Sequence, residues 1–268
     1  MKKTFIVIFS IFFTSSQCSA GLLDSLISYW KMDETSGTRE DIHGTQDLTD
    51  NNTVSYGTGK ISNAADVEWS NSEYLSHADS DELSLGSDED FTISLWVNGE
   101  SYAGYNYRPV FCKCTASAST CEYLLYYYYI GTDPNNKWRF TVGNGVTATT
   151  VEEPMTPTST GVWHHVLAWH DKTSNKLYIQ LDGDATPAEV AWSNGTYSGG
   201  VSAMEIGRFP HSTAHFFDGM IDEVGFWKRV LTADERAELY NSGNGLSYDD
   251  FTSSGGSATP KSRGYIFN

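Results

Sequence analysis

The segment Phe91-Thr92-Ile93-Ser94-Leu95-Trp96-Val97 constrains the fold most. Phe91, Ile93, Leu95 and Val97 fall on one side of an extended chain, and Thr92, Ser94 and Trp96 on the other. That period of two belongs to a strand, because a helix would scatter the same residues around its circumference. Trp138-Arg139-Phe140-Thr141-Val142 alternates in the same way. So does Lys176-Leu177-Tyr178-Ile179-Gln180-Leu181-Asp182, which runs into Gly183 as a turn. Trp163 to Trp169 is apolar on both faces, as a central strand between two layers would be. Strands recurring without intervening helices predict an all-β fold, a two-sheet antiparallel jelly-roll sandwich. With 24 Gly, 13 Phe, 8 Trp and 16 Tyr in 268 residues, the composition favours strands and turns. One short C-terminal helix is predicted where Thr232-Ala233-Asp234-Glu235 forms a capping box, with Gly243 as its stop.

The first twenty residues read as a signal peptide. Met1, Lys2 and Lys3 supply a positive end, Thr4 to Phe13 an apolar run, and the stretch closing on Cys18-Ser19-Ala20 the small residues before cleavage. An apolar run of about ten residues is too short to cross a bilayer. Ser15-Ser16-Gln17 does not form a lipobox before Cys18. The expectation is a secreted, extracellular protein with no membrane insertion, one domain over residues 21–250 and a flexible tail over 251–268, where Ser, Gly, Thr and Pro accumulate. The formal charge is −17, and loss of Lys2 and Lys3 with the leader takes it to −19. Such a surface repels nucleic acid, whose phosphates need a basic patch. Cys112, Cys114 and Cys121 remain after export. Zinc would want a fourth ligand, so one disulfide is expected, joining Cys121 to Cys112 or Cys114 across a hairpin.

Several segments, in order and at suitable spacing from roughly residue 26 to 246, together resemble the laminin-G-like group of the concanavalin A-like lectin/glucanase superfamily. They are Tyr29-Trp30-Lys31-Met32-Asp33 with Asp41-Ile42-His43-Gly44, Asp90 to Val97, Gly161-Val162-Trp163-His164-His165-Val166, Leu177 to Gly183, and Phe217-Asp218-Gly219-Met220-Ile221-Asp222-Glu223 running on to Trp227. The resemblance implies two antiparallel sheets with sites on a sheet face or on rim loops. It implies little about function, since such folds carry lectins, adhesion modules and a few catalytic domains. It also implies a structural calcium ion joining an acid near the N-terminus to one near the C-terminus. Asp33 and Asp222 occupy those segments, and Asp41 is a third candidate. The alternative is that Asp33 and Asp41 only cap turns around Gly37 and Gly44.

No catalytic constellation is present in the sequence pattern. Glycosidases place two carboxylates about 5 to 9 Å apart, and the Glu-x-Asp-x-Glu strand of glucanase relatives is missing. Asp222 and Glu223 are adjacent on an expected strand and should point to opposite faces. His164, His165 and His170 read as structural residues of a core strand, and His211 and His215 as loop residues lacking a third ligand. Sugar binding needs aromatic platforms. Tyr102, Tyr105 and Tyr107 cluster before Pro109, and Tyr126 and Tyr128 share one strand face while Tyr127 and Tyr129 share the other, one of which must be core. The sequence therefore points to a non-enzymatic recognition domain for a glycan or glycosylated surface. The rival is a structural or adhesive protein working through contacts with other surface proteins, and an enzyme with an unfamiliar site is the third reading.

Overall fold

A computed structural model describes residues 21–101, 106–129, 136–154, 160–210, 212 and 214–252. The expected signal peptide, Tyr102, Tyr105, His211 and nearly all of the expected tail lie outside the described residues. In chain order the strands are β1 (Leu26–Trp30), β2 (Thr49–Asn51), β3 (Ser55–Thr58), β4 (Asn63–Val67), β5 (Tyr74–His77), β6 (Phe91–Gly99), β7 (Tyr107–Cys114) and β8 (Cys121–Tyr128). There follow β9 (Lys137–Gly143), β10 (Ala148–Pro154), β11 (His164–Asp171), β12 (Lys176–Leu181), β13 (Ala188–Ala191), β14 (Met204–Ile206) and β15 (Gly219–Trp227). The helix α1 spans Ala233–Tyr240.

These strands form two antiparallel sheets. One has eight strands in the order β13-β12-β11-β6-β15-β4-β3, with β1 also paired to β15; the other has seven, in the order β10-β9-β8-β7-β14-β5-β2. The all-β sandwich with a single short helix is thus the fold of the described chain. Between the sheets lies one core, in which Trp30, Phe91, Phe111, Tyr123, Tyr127, Trp138, Phe140 and Phe226 are fully buried. Each such side chain contributes about 1.5–3 kcal/mol through the apolar area it removes from water. The sheet faces follow the two-residue period: Phe91, Ile93, Leu95 and Val97 enter the core, and so do Tyr123, Leu125 and Tyr127 of β8.

The outer face of the eight-stranded sheet is covered. Leu22, Leu26, Tyr29, Leu167, Trp169, Trp227, Leu231, Leu239 and Phe251 form a second apolar cluster there. Trp96 stacks on His165 at 4.9 Å and on Tyr240 of α1 at 5.9 Å. The helix begins with the expected capping box on Thr232 and Glu235. It ends at Tyr240, three residues before Gly243, because Asn241 adopts the left-handed conformation at φ 47 and closes the last turn. Arg229 secures the cover: it donates to both Glu235 oxygens at 2.6 and 2.7 Å and to the carbonyls of Gly21 and Asp24. Among the described residues no helix is long and apolar enough to cross a membrane.

Candidate functional site

The seven-stranded sheet keeps an open outer face, and on it lies a groove of about 470 Å³. Strand register builds its floor as three rows. Tyr107 pairs with Tyr128; Pro109 pairs with Tyr126, which pairs with Arg139; Leu124 pairs with Thr141, which pairs with Thr150, while Lys137 and Glu152 continue the first two rows beyond the groove lining. Tyr107 stacks on Tyr126 at 5.4 Å, meets Tyr128 edge-on at 5.1 Å and lies 5.2 Å from His215. Tyr107 is 40% exposed and Tyr126 only 5%, so the first offers a ring to a ligand and the second backs it. Thr141 and Thr150 share a hydrogen bond of 2.7 Å at the floor. Phe209 and His215 close one side, and Ala116, Ser117 and Ala118 the other.

Three of the five tyrosines expected to bind a ligand, Tyr107, Tyr126 and Tyr128, therefore meet on one face. Tyr127, of the opposite parity, is buried in the core. The sequence reading omitted Arg139, Thr141, Phe209 and His215 as partners of these rings. The alternation Trp138-Arg139-Phe140-Thr141 already assigns Arg139 and Thr141 to the non-core face. Phe209 and His215 come from an irregular loop that has no such period.

Charge in the groove is unevenly placed. The Arg139 guanidinium sits 3.8 Å above the Tyr128 ring and pairs with Glu152 at 2.5 Å, while Lys137 reaches the other Glu152 oxygen at 2.6 Å. Burial raises the Tyr126 phenol, while Thr141 and Arg139 pull it back. Burial and then the field of Arg108 push the His215 imidazole down, so it is neutral at pH 7.

The hairpin beside the groove carries the disulfide, which joins Cys114 to Cys121. These two residues stand opposite each other in the β7–β8 register, which selects Cys114 over Cys112. Cys112 is a buried free thiol, with its pKa well above the ordinary value because of burial.

The acids expected to hold calcium are occupied by backbone amides. Asp41 Oδ1 accepts from Tyr29, His43 and Gly44, and its Oδ2 from Gln46, at 2.8–3.1 Å. That is the turn-capping alternative, and it needs Gly44, where an added Cβ would stand 2.5 Å from the Ile27 carbonyl. Asp222 is fully buried; its Oδ2 accepts from Lys60 and Ile61 and its Oδ1 from Glu223. Asp33 accepts from Asn63 and pairs with Lys31 at 3.3 Å. Asp222 and Glu223 do not point to opposite faces as the sequence pattern predicted. A register shift between Asp222 and Gly225 marks a bulge, Glu223 takes φ +49, and both carboxyls are buried. Glu223 accepts from the Tyr29 hydroxyl at 2.5 Å, and among the described residues its second oxygen has no partner. Burial, together with the neighbouring Glu223, lifts Asp222 to about 9; burial lifts Glu223 to about 7. Among the described residues, Asp66, Glu68 and Glu100 are the one group of three acids whose oxygens lie within 4.8 Å of one another.

The histidines of β11 sit on the other sheet. His165 contacts Ser94 at 2.9 Å, and burial drops it to about 3. Among the described residues its Nδ1 has no partner, and no acid orients a Ser94–His165 pair as a nucleophilic triad requires. His164 pairs with Asp182 at 2.7 Å.

Two stacked sheets with a ligand-sized groove on one outer face define a lectin-like sandwich. The chain belongs to the concanavalin A-like lectin/glucanases superfamily, whose family profile matches residues 70–235. No curated protein sequence matches it. Solved structures share the fold at low identity. Domain 4 of an extracellular arabinanase from Geobacillus stearothermophilus, in complex with arabinotriose, superposes with a TM-score of 0.57 at 17% identity, covering 85% of this chain and 100% of that one. The binding domain of Paraclostridial mosquitocidal protein 1 gives 0.63 at 14%, covering 83% of this chain and 53% of that one. The Trypanosoma rangeli sialidase gives 0.57 at 15%, covering 84% and 34%. The chain thus spans about half of the mosquitocidal binding domain and about a third of the sialidase.

Proposed function

We propose that this protein is an exported, non-catalytic carbohydrate-binding module, and that its ligand lies in the groove of the seven-stranded sheet. The observation that carries this reading is the exposed Tyr107 ring, stacked on Tyr126 and set beside the Thr141 and Thr150 hydroxyls. A sugar presents apolar C–H faces and polar edges, and this floor offers a ring face next to hydroxyl donors and acceptors. Acid–base glycoside hydrolysis needs two carboxylates at one bond, whereas the charged side chain lining the groove among the described residues is a guanidinium. A disulfide fits an oxidising compartment, which supports export. Structural calcium at Asp33, Asp41 or Asp222 would have to displace the amides these carboxylates hold, and melting curves in calcium and in chelator test for it.

A glycan array probed with residues 21–268, with and without calcium, tests the reading. Binding should be saturable and should fall about tenfold or more in Tyr107→Ala, with the melting temperature little changed. Glycan binding that is unaffected in Tyr107→Ala would move the site away from this groove.

A further inference from the structure

We infer that the groove selects an acidic glycan, one bearing a carboxylate or a sulfate ester, and that Arg139 is the residue that selects it. The inference rests on the groove being the glycan site. The whole chain carries 34 acidic residues against 17 Lys and Arg, yet the groove inverts that balance. Among the described lining residues Arg139 is the charged one, and no carboxylate lines the groove. Two cations, Lys137 and Arg139, share the single carboxylate of Glu152, which leaves one net positive charge at that corner.

Register puts it there. Arg139 faces Tyr126 on one neighbouring strand and Glu152 on the other, which sets its Cα over the floor, and the ion pair with Glu152 draws the guanidinium there. Stacking over Tyr128 at 3.8 Å fixes its plane. A planar fork held in place suits a carboxylate or sulfate better than a mobile ammonium would. Glu205 and Arg208, nearby, offset each other as a pair at 3.6 Å. A positive cleft in a strongly acidic surface concentrates field lines on itself, and an anionic ligand is what such a cleft attracts.

The test uses the exported chain on biosensor surfaces carrying polygalacturonate, chondroitin sulfate, arabinan or galactan. Binding is expected on one or both acidic polymers, and which of the two separates carboxylate from sulfate recognition. Arg139→Gln should weaken that binding about tenfold, and Arg139→Lys should recover part of it. Glu152→Gln should tighten it severalfold, a direction that general loosening of the fold would not give. Raising salt should weaken the wild type. If Arg139→Gln does not fold, Glu152→Gln decides alone, and unchanged or weaker acidic binding overturns the inference. Binding to the neutral polymers alone, or to all four alike without an Arg139 effect, overturns the acidic ligand and leaves the groove as a sugar site. Binding to none overturns the inference, and the glycan array then decides separately whether the groove binds sugars.

Discussion

Asp33 and Asp222 hold opposite ends of one turn. Asp222 Oδ2 accepts from the amides of Lys60 and Ile61 at 2.7 and 3.0 Å, and Asp33 Oδ1 accepts from the amide of Asn63 at 3.1 Å. Residues from the start of the domain and from the last strand of the eight-stranded sheet thus meet through a shared loop. An ion at Asp222 would have to displace three amides. We therefore expect Asp222→Ala to cost about 2–4 kcal/mol, because it strands buried donors, and Asp222→Asn to cost less, since one acceptor oxygen remains. Melting curves in calcium and in chelator should fall in parallel for wild type and variant. A calcium-dependent rise of several degrees in the wild type, lost in Asp222→Asn and matched by metal in elemental analysis, would put the ion back at these acids.

The disulfide closes a short hairpin whose residues Ala116, Ser117 and Ala118 line the groove. Its loss should cost about 2–3 kcal/mol, as expected for a small loop, and leave the sandwich folded. Peptide mapping without reduction should recover Cys114 linked to Cys121. Cys112, buried and with a raised pKa, should stay unmodified by a thiol reagent until the protein unfolds. Rapid labelling of Cys112 in native protein would show that the strand opens readily.

How far the sequence reveals this molecule depends on whether local period and tertiary contact agree. At Tyr126, Tyr127 and Tyr128 they do: alternation alone assigns Tyr127 to one face and its neighbours to the other, and the sandwich has only one core to receive a face. Arg139 and Thr141 were equally legible by their parity on β9. The bulge at Asp222 and Glu223 was not. Neither residue is a glycine, and the left-handed Glu223 is held by a bond to Tyr29, which sits on a strand remote in sequence. Asn241 taking the place expected for Gly243 is a milder case, since asparagine tolerates the left-handed region without announcing it.

The Arg229–Glu235 pair anchors the cover of the eight-stranded sheet. Glu235 is 2% exposed and takes two bonds from Arg229 and one from the amide of Thr232. Glu235→Ala leaves a largely buried guanidinium unpaired and removes half of the capping box. We expect a loss of about 2–4 kcal/mol, with Glu235→Gln costing less. Denaturant titration measures both; a loss under about 0.5 kcal/mol would mean that the pair is fully hydrated and worth only what a surface ion pair is worth.

Glu223 should give the protein an unusual pH profile. Its carboxyl, ordinarily near 4.5, is lifted to about 7 in the folded chain, chiefly by burial. A folded-state value above the unfolded one means that folding takes up a proton between those two pH values. Stability is then fully present below the ordinary carboxylate range and is lost as pH rises through 7. At about 1.4 kcal/mol per unit, the loss is on the order of 3 kcal/mol. Asp222, raised to about 9, and Glu205, raised to about 7, act in the same direction over the same range, so the wild type should lose stability steadily from pH 5 to 8. Glu152, Asp171 and Glu235 are lowered and act oppositely, removing stability only in strong acid. The maximum should therefore lie at mildly acidic pH. Glu223→Gln keeps an acceptor for the Tyr29 hydroxyl and removes one titrating proton, so its stability should decline less steeply from pH 5 to 8 than that of the wild type. Denaturant midpoints for both proteins at three pH values measure this. Parallel curves, or a wild type that grows more stable toward pH 8, would show that Glu223 is ionised in the folded protein throughout.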